Sequence, residues 1–159
     1  MNTQSSSSRR PRPRTLRLSF AYGEAGIQLL TAHRLAIKAP PSIDTADFGP
    51  HAGFWYELQD DQGNVHYRRP TQDPLANSIE IHSPDPDEPP MRRVSIEQTR
   101  GTFTLDVPEF DHAHILVFFR SPDDPVGPTG LTLTLPAIEF VRFDLSTYTI
   151  EEGWGYSHG

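Results

Sequence analysis

The chain of 159 residues has no cysteine, and Lys38 is its single lysine. Without thiols there is no disulfide, no thiolate nucleophile and no cysteine-ligated zinc. No apolar run approaches the roughly 20 residues that a membrane-spanning helix needs. The basic start MNTQSSSSRRPRPR is not followed by the apolar segment of a secretory signal. These absences predict a cytoplasmic protein that does not contact a membrane. No glycine-rich loop leads from a strand into a helix and no G-x-S-x-G elbow occurs, which removes phosphate-loop, dinucleotide-binding and α/β-hydrolase chemistry. Hydrophobic residues make up 35%, fewer than in an average globular chain, and the shortfall lies in the ends and the loops.

What charge there is divides unevenly. Arg9, Arg10, Arg12 and Arg14 lie in a tail without acidic residues, so residues 15–159 hold the other 10 basic and all 21 acidic groups, a net of −11. A body this acidic speaks against a nucleic-acid-binding surface and for solubility or a basic partner. Residues 1–14 are Ser, Arg and Pro with almost nothing to bury, and are expected to be disordered.

From residue 15 the hydrophobic pattern has period two. Leu16, Leu18, Phe20 and Tyr22 share one parity, as do Phe103, Leu105 and Val107, and the leucines of 131–135. Shorter alternating pieces lie at 78–82 and 93–97. Alternation marks strands with one face in a core and one in water. Residues 114–119 (HILVFF) are apolar on both parities, which predicts a central strand covered on both sides. In 137–145, Ile138 and Phe140 share one parity and Phe143 and Leu145 the other. A one-residue bulge near Val141 and Arg142 would bring all four to one face. Residues 53–69 predict a hairpin around DDQG, with Gly63 supplying a positive φ. Residues 26–38 fit a strand through Ile27, Leu29, Leu35 and Ile37, although Leu30, Ala32 and Ala36 would also suit a short helix; the strand is favoured.

Most of the 16 prolines fall in the tail, at strand ends or in acidic connectors such as 39–50, 84–91 and 121–130, where a missing N–H ends a ladder at no cost. About nine or ten short strands separated by such turns predict an all-β fold, a two-sheet antiparallel β-sandwich of immunoglobulin-like or jelly-roll-like type. The sandwich is placed at 15–145, followed by a flexible tail at 146–159 in which Trp154 could dock. The stretches GFWYELQDDQGNVHYRR and GTFTLDVPEFDHAHILVFFRS resemble an accessory β-sandwich module, the non-catalytic N-terminal domain of bacterial IgA-type metallopeptidases. That resemblance implies an interaction or accessory role and carries over no catalytic residue.

Two constellations could carry chemistry. His112 and His114 stand two apart at the entry to the central strand, a spacing that would let them grip one metal ion, with His66 or His82 as a third ligand. Trp55 has the opposite parity to Phe54, Tyr56 and Leu58; with Tyr67 it could offer an aromatic surface to a carbohydrate or peptide, unless a loop such as 39–50 covers it. Asp60, Asp61, Gln62 and Asn64 look like a calcium loop, but Val65 stands where glycine is needed, so a plain turn is expected. Asp85, Asp87 and Glu88 read as a solvated acidic loop. Glu57 and Glu80 read as ordinary strand acids rather than a glycosidase pair. The leading expectation is a non-enzymatic module that binds another protein. The alternatives are a metal-binding protein or metal-dependent hydrolase built on His112 and His114, and a carbohydrate-binding module built on Trp55.

Overall fold

A computed structural model describes residues 13–43, 53–75, 78–82, 91–95, 100–121 and 137–153. Most of the N-terminal tail, the alternating leucines of 131–135, Asp85, Asp87, Glu88 and Trp154 lie outside these residues. The described residues form ten strands: β1 (Thr15–Gly23), β2 (Gly26–Leu35), β3 (Phe54–Gln59), β4 (Val65–Thr71), β5 (Ser78–His82), β6 (Met91–Ser95), β7 (Gly101–Pro108), β8 (Ile115–Arg120), β9 (Ile138–Asp144) and β10 (Ile150–Glu152). Among the described residues there is no α-helix, and a 3-10 turn at Leu145–Thr147 joins β9 to β10. No helix of the described residues is long and apolar enough to cross a membrane.

Eight strands form the sandwich. The first sheet has the order β10-β2-β1-β7 and the second β4-β3-β8-β9, while β5 and β6 pair with each other. All pairings are antiparallel except that of β10 with β2. The β5–β6 hairpin uses 91–95 for its second strand, two residues before the alternation had suggested.

Alternation decides which side chains meet between the sheets. Leu16, Leu18, Phe20 and Tyr22 of β1 point inward with Leu105 and Val107 of β7, opposite Phe54, Tyr56 and Leu58 of β3 and Leu116 and Phe118 of β8. At the centre, Phe20 stacks on Phe103 at 5.0 Å and meets Phe118 edge-on at 5.6 Å. Edge-to-face and offset contacts of this kind add to the area that the rings bury. β8 is a central strand covered on both faces: Leu116, Val117 and Phe118 are all fully buried.

Each of three strands carries one extra residue, and each bulge resets a parity that the sequence leaves unclear. In β2 the register jumps between Ser19–Thr31 and Phe20–Leu29, so Leu30 is the extra residue and is exposed. Leu29 and Ala32 then face the same core. This bulge is why 26–38 fitted a helix nearly as well as a strand. In β9 the extra residue is Phe140, one position before the expected site. Phe140, Phe143 and Leu145 reach the core, but Ile138 is 59% exposed and does not join them. In β4 the extra residue is His66.

The domain also continues past residue 145, into part of the segment expected to be a flexible tail. Glu151 and Glu152 pair with His33 and Arg34 along β2, and the Gly153 N–H donates to the Arg34 carbonyl at 2.8 Å. The Arg34 guanidinium binds Glu109 through two nitrogens, at 2.6–3.0 Å, and also Glu152. Charge complementarity therefore docks a strand too short and too polar to alternate.

Candidate functional site

The aromatic surface expected at Trp55 and Tyr67 does not exist as a platform. Trp55 does face away from the sandwich core, as its parity required, but it is buried and stacks on Phe119 at 5.5 Å. Tyr67 lies in the core, and its hydroxyl donates to the Pro40 carbonyl at 3.0 Å. Burial pushes the phenols of Tyr56 and Tyr67 above the ordinary tyrosine value.

The outer face of β3 instead holds a polar network. Glu57 accepts from Trp55 Nε1 at 3.2 Å, from Gln59 Nε2 at 2.8 Å and from Arg68 Nε at 2.6 Å. Glu57 is 3% exposed and stands directly opposite Arg68 across the β3–β4 pair. A buried carboxylate survives only when it is paired and hydrogen-bonded, and both conditions hold here. The sequence places Trp55, Glu57 and Gln59 on one outward parity, with Glu57 reading as an ordinary solvent-facing strand acid and Trp55 as either an open surface or a residue covered by a loop.

The histidines divide differently from the sequence expectation. Strand β8 begins at Ile115, so 112 and 114 precede it and the same-side rule for strands does not apply to them. His114 Nε2 lies 3.1 Å from Asp61 Oδ1 and 3.8 Å from Asp144 Oδ1. His112 Nε2 meets His66 Nδ1 at 3.3 Å, and His66 Nε2 bonds Asp60 Oδ2 at 2.9 Å. His66 was one of two imidazoles considered as a third ligand, and it partners His112 in place of His114. No three His, Asp or Glu side chains among the described residues converge as a metal-binding group. The calcium-like sequence is a turn, as expected: Asp60 accepts from the Gln62 and Asn64 N–H groups at 2.9 Å each, and Gly63 has φ of +83°.

The four sheet edges carry different protection. β10 is three residues long, and β9 is bulged at Phe140. β4 is overlaid by residues 42–43, which precede β3: the Ile43 N–H donates to the Arg68 carbonyl at 2.9 Å, and the Arg68 N–H donates to Ser42 Oγ at 3.0 Å. Pro70 falls two residues on from Arg68, where an N–H would point outward and is missing. Among the described residues, β7 has none of these devices over its first six positions. It pairs with β1 without interruption from Gly101 to Pro108. The Glu109 N–H donates inward, to the Arg14 carbonyl, so the backbone groups of Thr102, Thr104 and Asp106 point away from β1. Thr102 and Thr104 are exposed, and among the described residues no strand covers this edge. Beside it, an open cleft of about 590 Å³ runs between β7 and β4, lined by Arg17, Tyr56, Arg69, Thr71, Thr104 and Asp106.

No family model, curated protein or solved structure matches the chain.

Proposed function

We propose that this β-sandwich is a non-enzymatic interaction module that binds another protein by adding one of that protein's strands to β7. The observation that carries this reading is the contrast among the four edges. An edge strand presents unpaired N–H and C=O groups that template pairing with another chain, and folded proteins normally blunt such edges. Here β4, β9 and β10 are overlaid, bulged or short, while β7 is long and regular. The outward groups of Thr102, Thr104 and Asp106 would give main-chain affinity, and the adjoining cleft would receive alternate side chains of the added strand. The acidic balance of the body favours a partner segment with basic residues. The resemblance to an accessory metallopeptidase module points to the same class of role.

Proline substitution separates binding from folding. Thr104→Pro removes an N–H that faces away from β1, whereas Phe103→Pro removes one that faces β1. In affinity capture from the cells that make the protein, the Thr104 variant is expected to keep its fold by circular dichroism and to lose the partner recovered with the wild type. The Phe103 variant is expected to unfold. Equal recovery of the same partner by a folded Thr104→Pro chain would refute strand addition at this edge.

A further inference from the structure

We infer that His66 and His112 form a two-imidazole site for a divalent transition metal of the zinc class, with Asp60 orienting His66 from behind. The site joins elements far apart in sequence. His66 is the extra residue of the β4 bulge, and a bulge frees a side chain from strict alternation and re-aims it. It turns toward the segment before β8 that carries His112, where the ring centroids stand 4.5 Å apart at 76°. Phe110 packs beside both rings, at 6.4 Å from His66 and 5.6 Å from His112.

The tautomer follows from the partners. Asp60 Oδ2 accepts from His66 Nε2 at 2.9 Å, which puts the ring proton on Nε2 and leaves the lone pair on Nδ1. His112 Nε2 lies 3.3 Å from Nδ1. Two imidazole nitrogens bound to one tetrahedral zinc at about 2.0–2.1 Å stand about 3.3–3.4 Å apart. The nitrogen spacing needed by the chelate is therefore already built; binding would replace the contact between the rings, with the metal beside the N–N line and both lone pairs turned toward it. His112 is exposed, so it can carry its own proton on Nδ1 and offer Nε2. A carboxylate behind a ligating imidazole is the usual outer support of such sites. Asp60 is itself fixed by Asn64 and by two backbone N–H groups. The remaining coordination positions go to water, because no third protein ligand converges among the described residues. His114 takes no part, being turned to Asp61 and Asp144.

Calorimetric titration of the full, untagged chain with zinc chloride tests this assignment. One saturable equivalent is expected, weakened at least about tenfold by His66→Ala or His112→Ala and altered less than about twofold by His114→Ala. The His66 and His112 ring resonances of the wild type should shift together as zinc is added, a readout that needs no variant to fold. No saturable uptake at millimolar zinc would overturn the site. So would unchanged affinity in the His66→Ala/His112→Ala double variant, or ring shifts that leave these two histidines in place.

Discussion

Two arginine–carboxylate pairs bridge neighbouring strands, one on each sheet, and they stand in the same relation to their ladders. Arg17 of β1 lies directly across from Asp106 of β7, and Arg68 of β4 directly across from Glu57 of β3. Arg17 grips Asp106 through two nitrogens, each at 2.8 Å. Arg68 brings Nε and Nη2 onto one oxygen of Glu57. The difference is water. The Arg17 side chain is 46% exposed, while that of Glu57 is 4% exposed. The first pair lies on the outer, partly exposed face of β1, whose inner face alone is buried beyond Thr15; the second lies on a strand buried at all six of its positions. Equal placement across the ladder thus has unequal energetic weight, because Coulomb attraction is screened in one place and must offset a large desolvation cost in the other.

The largest expected effect breaks the buried pair. Arg68→Ala leaves the Glu57 carboxylate buried with Trp55 and Gln59 as its remaining donors. The cost should fall near the lower end of that for a broken buried pair, about 3 kcal/mol. Urea unfolding followed by tryptophan fluorescence measures it, because Trp55 reports directly on the network. A loss below about 1 kcal/mol would mean that the pair behaves as a surface pair despite its burial.

This contrast also marks how far the sequence can be read. The turn at Gly63 located β3 and β4, and a run apolar on both parities located β8. Alternation located β1 and β7, because greasy and wet positions taking turns leave a mark wherever one face meets water. It gave the inward faces of Phe20, Tyr56 and Leu105 correctly. It failed where a second cover hides the outer face, since Trp55, Glu57 and Gln59 look the same in sequence whether wet or buried. Bulges were legible only when apolar residues flank them. The parity change between Phe140 and Phe143 revealed one, Leu30 mimicked a helix, and His66 left no trace. The neighbour of His112 was hidden for the same reason: its approach to His66 depends on a bulge and a tertiary contact, and neither is written in the spacing. The short strand β10 was missed because three residues cannot show a period, and the charges of Arg34, Glu109 and Glu152 dock it.

The exposed counterpart should respond far less. Arg17→Ala removes a bidentate contact that water and salt already weaken, so it should cost about 0–1 kcal/mol. Raising the ionic strength to about 1 M, where the screening length falls to about 3 Å, should shrink even that difference. Comparing urea midpoints of wild type and variant at low and high salt checks both points. A cost similar to that of Arg68→Ala would show that register, not burial, sets the strength of these pairs.

A third carboxylate sharpens the contrast by separating exposure from hydrogen bonding. Asp60 sits in a turn, yet the bond from His66, followed by those from Asn64 and the Gln62 N–H, holds its carboxyl well below the usual aspartate range. A value lower in the folded than in the unfolded chain contributes stability that is complete above the unfolded value, about 3.9. That contribution is lost as pH falls toward the folded value. The wild type should therefore be more stable than Asp60→Asn at pH 7, and the gap should close as pH drops below about 4. Asp144 and Glu139, also held low by Ser146 and Arg142, titrate in both proteins and cancel from the difference. Urea midpoints from pH 7 to pH 3 measure that gap. One that stays constant over the range would mean that the turn is held by the shape of the side chain and not by its charge.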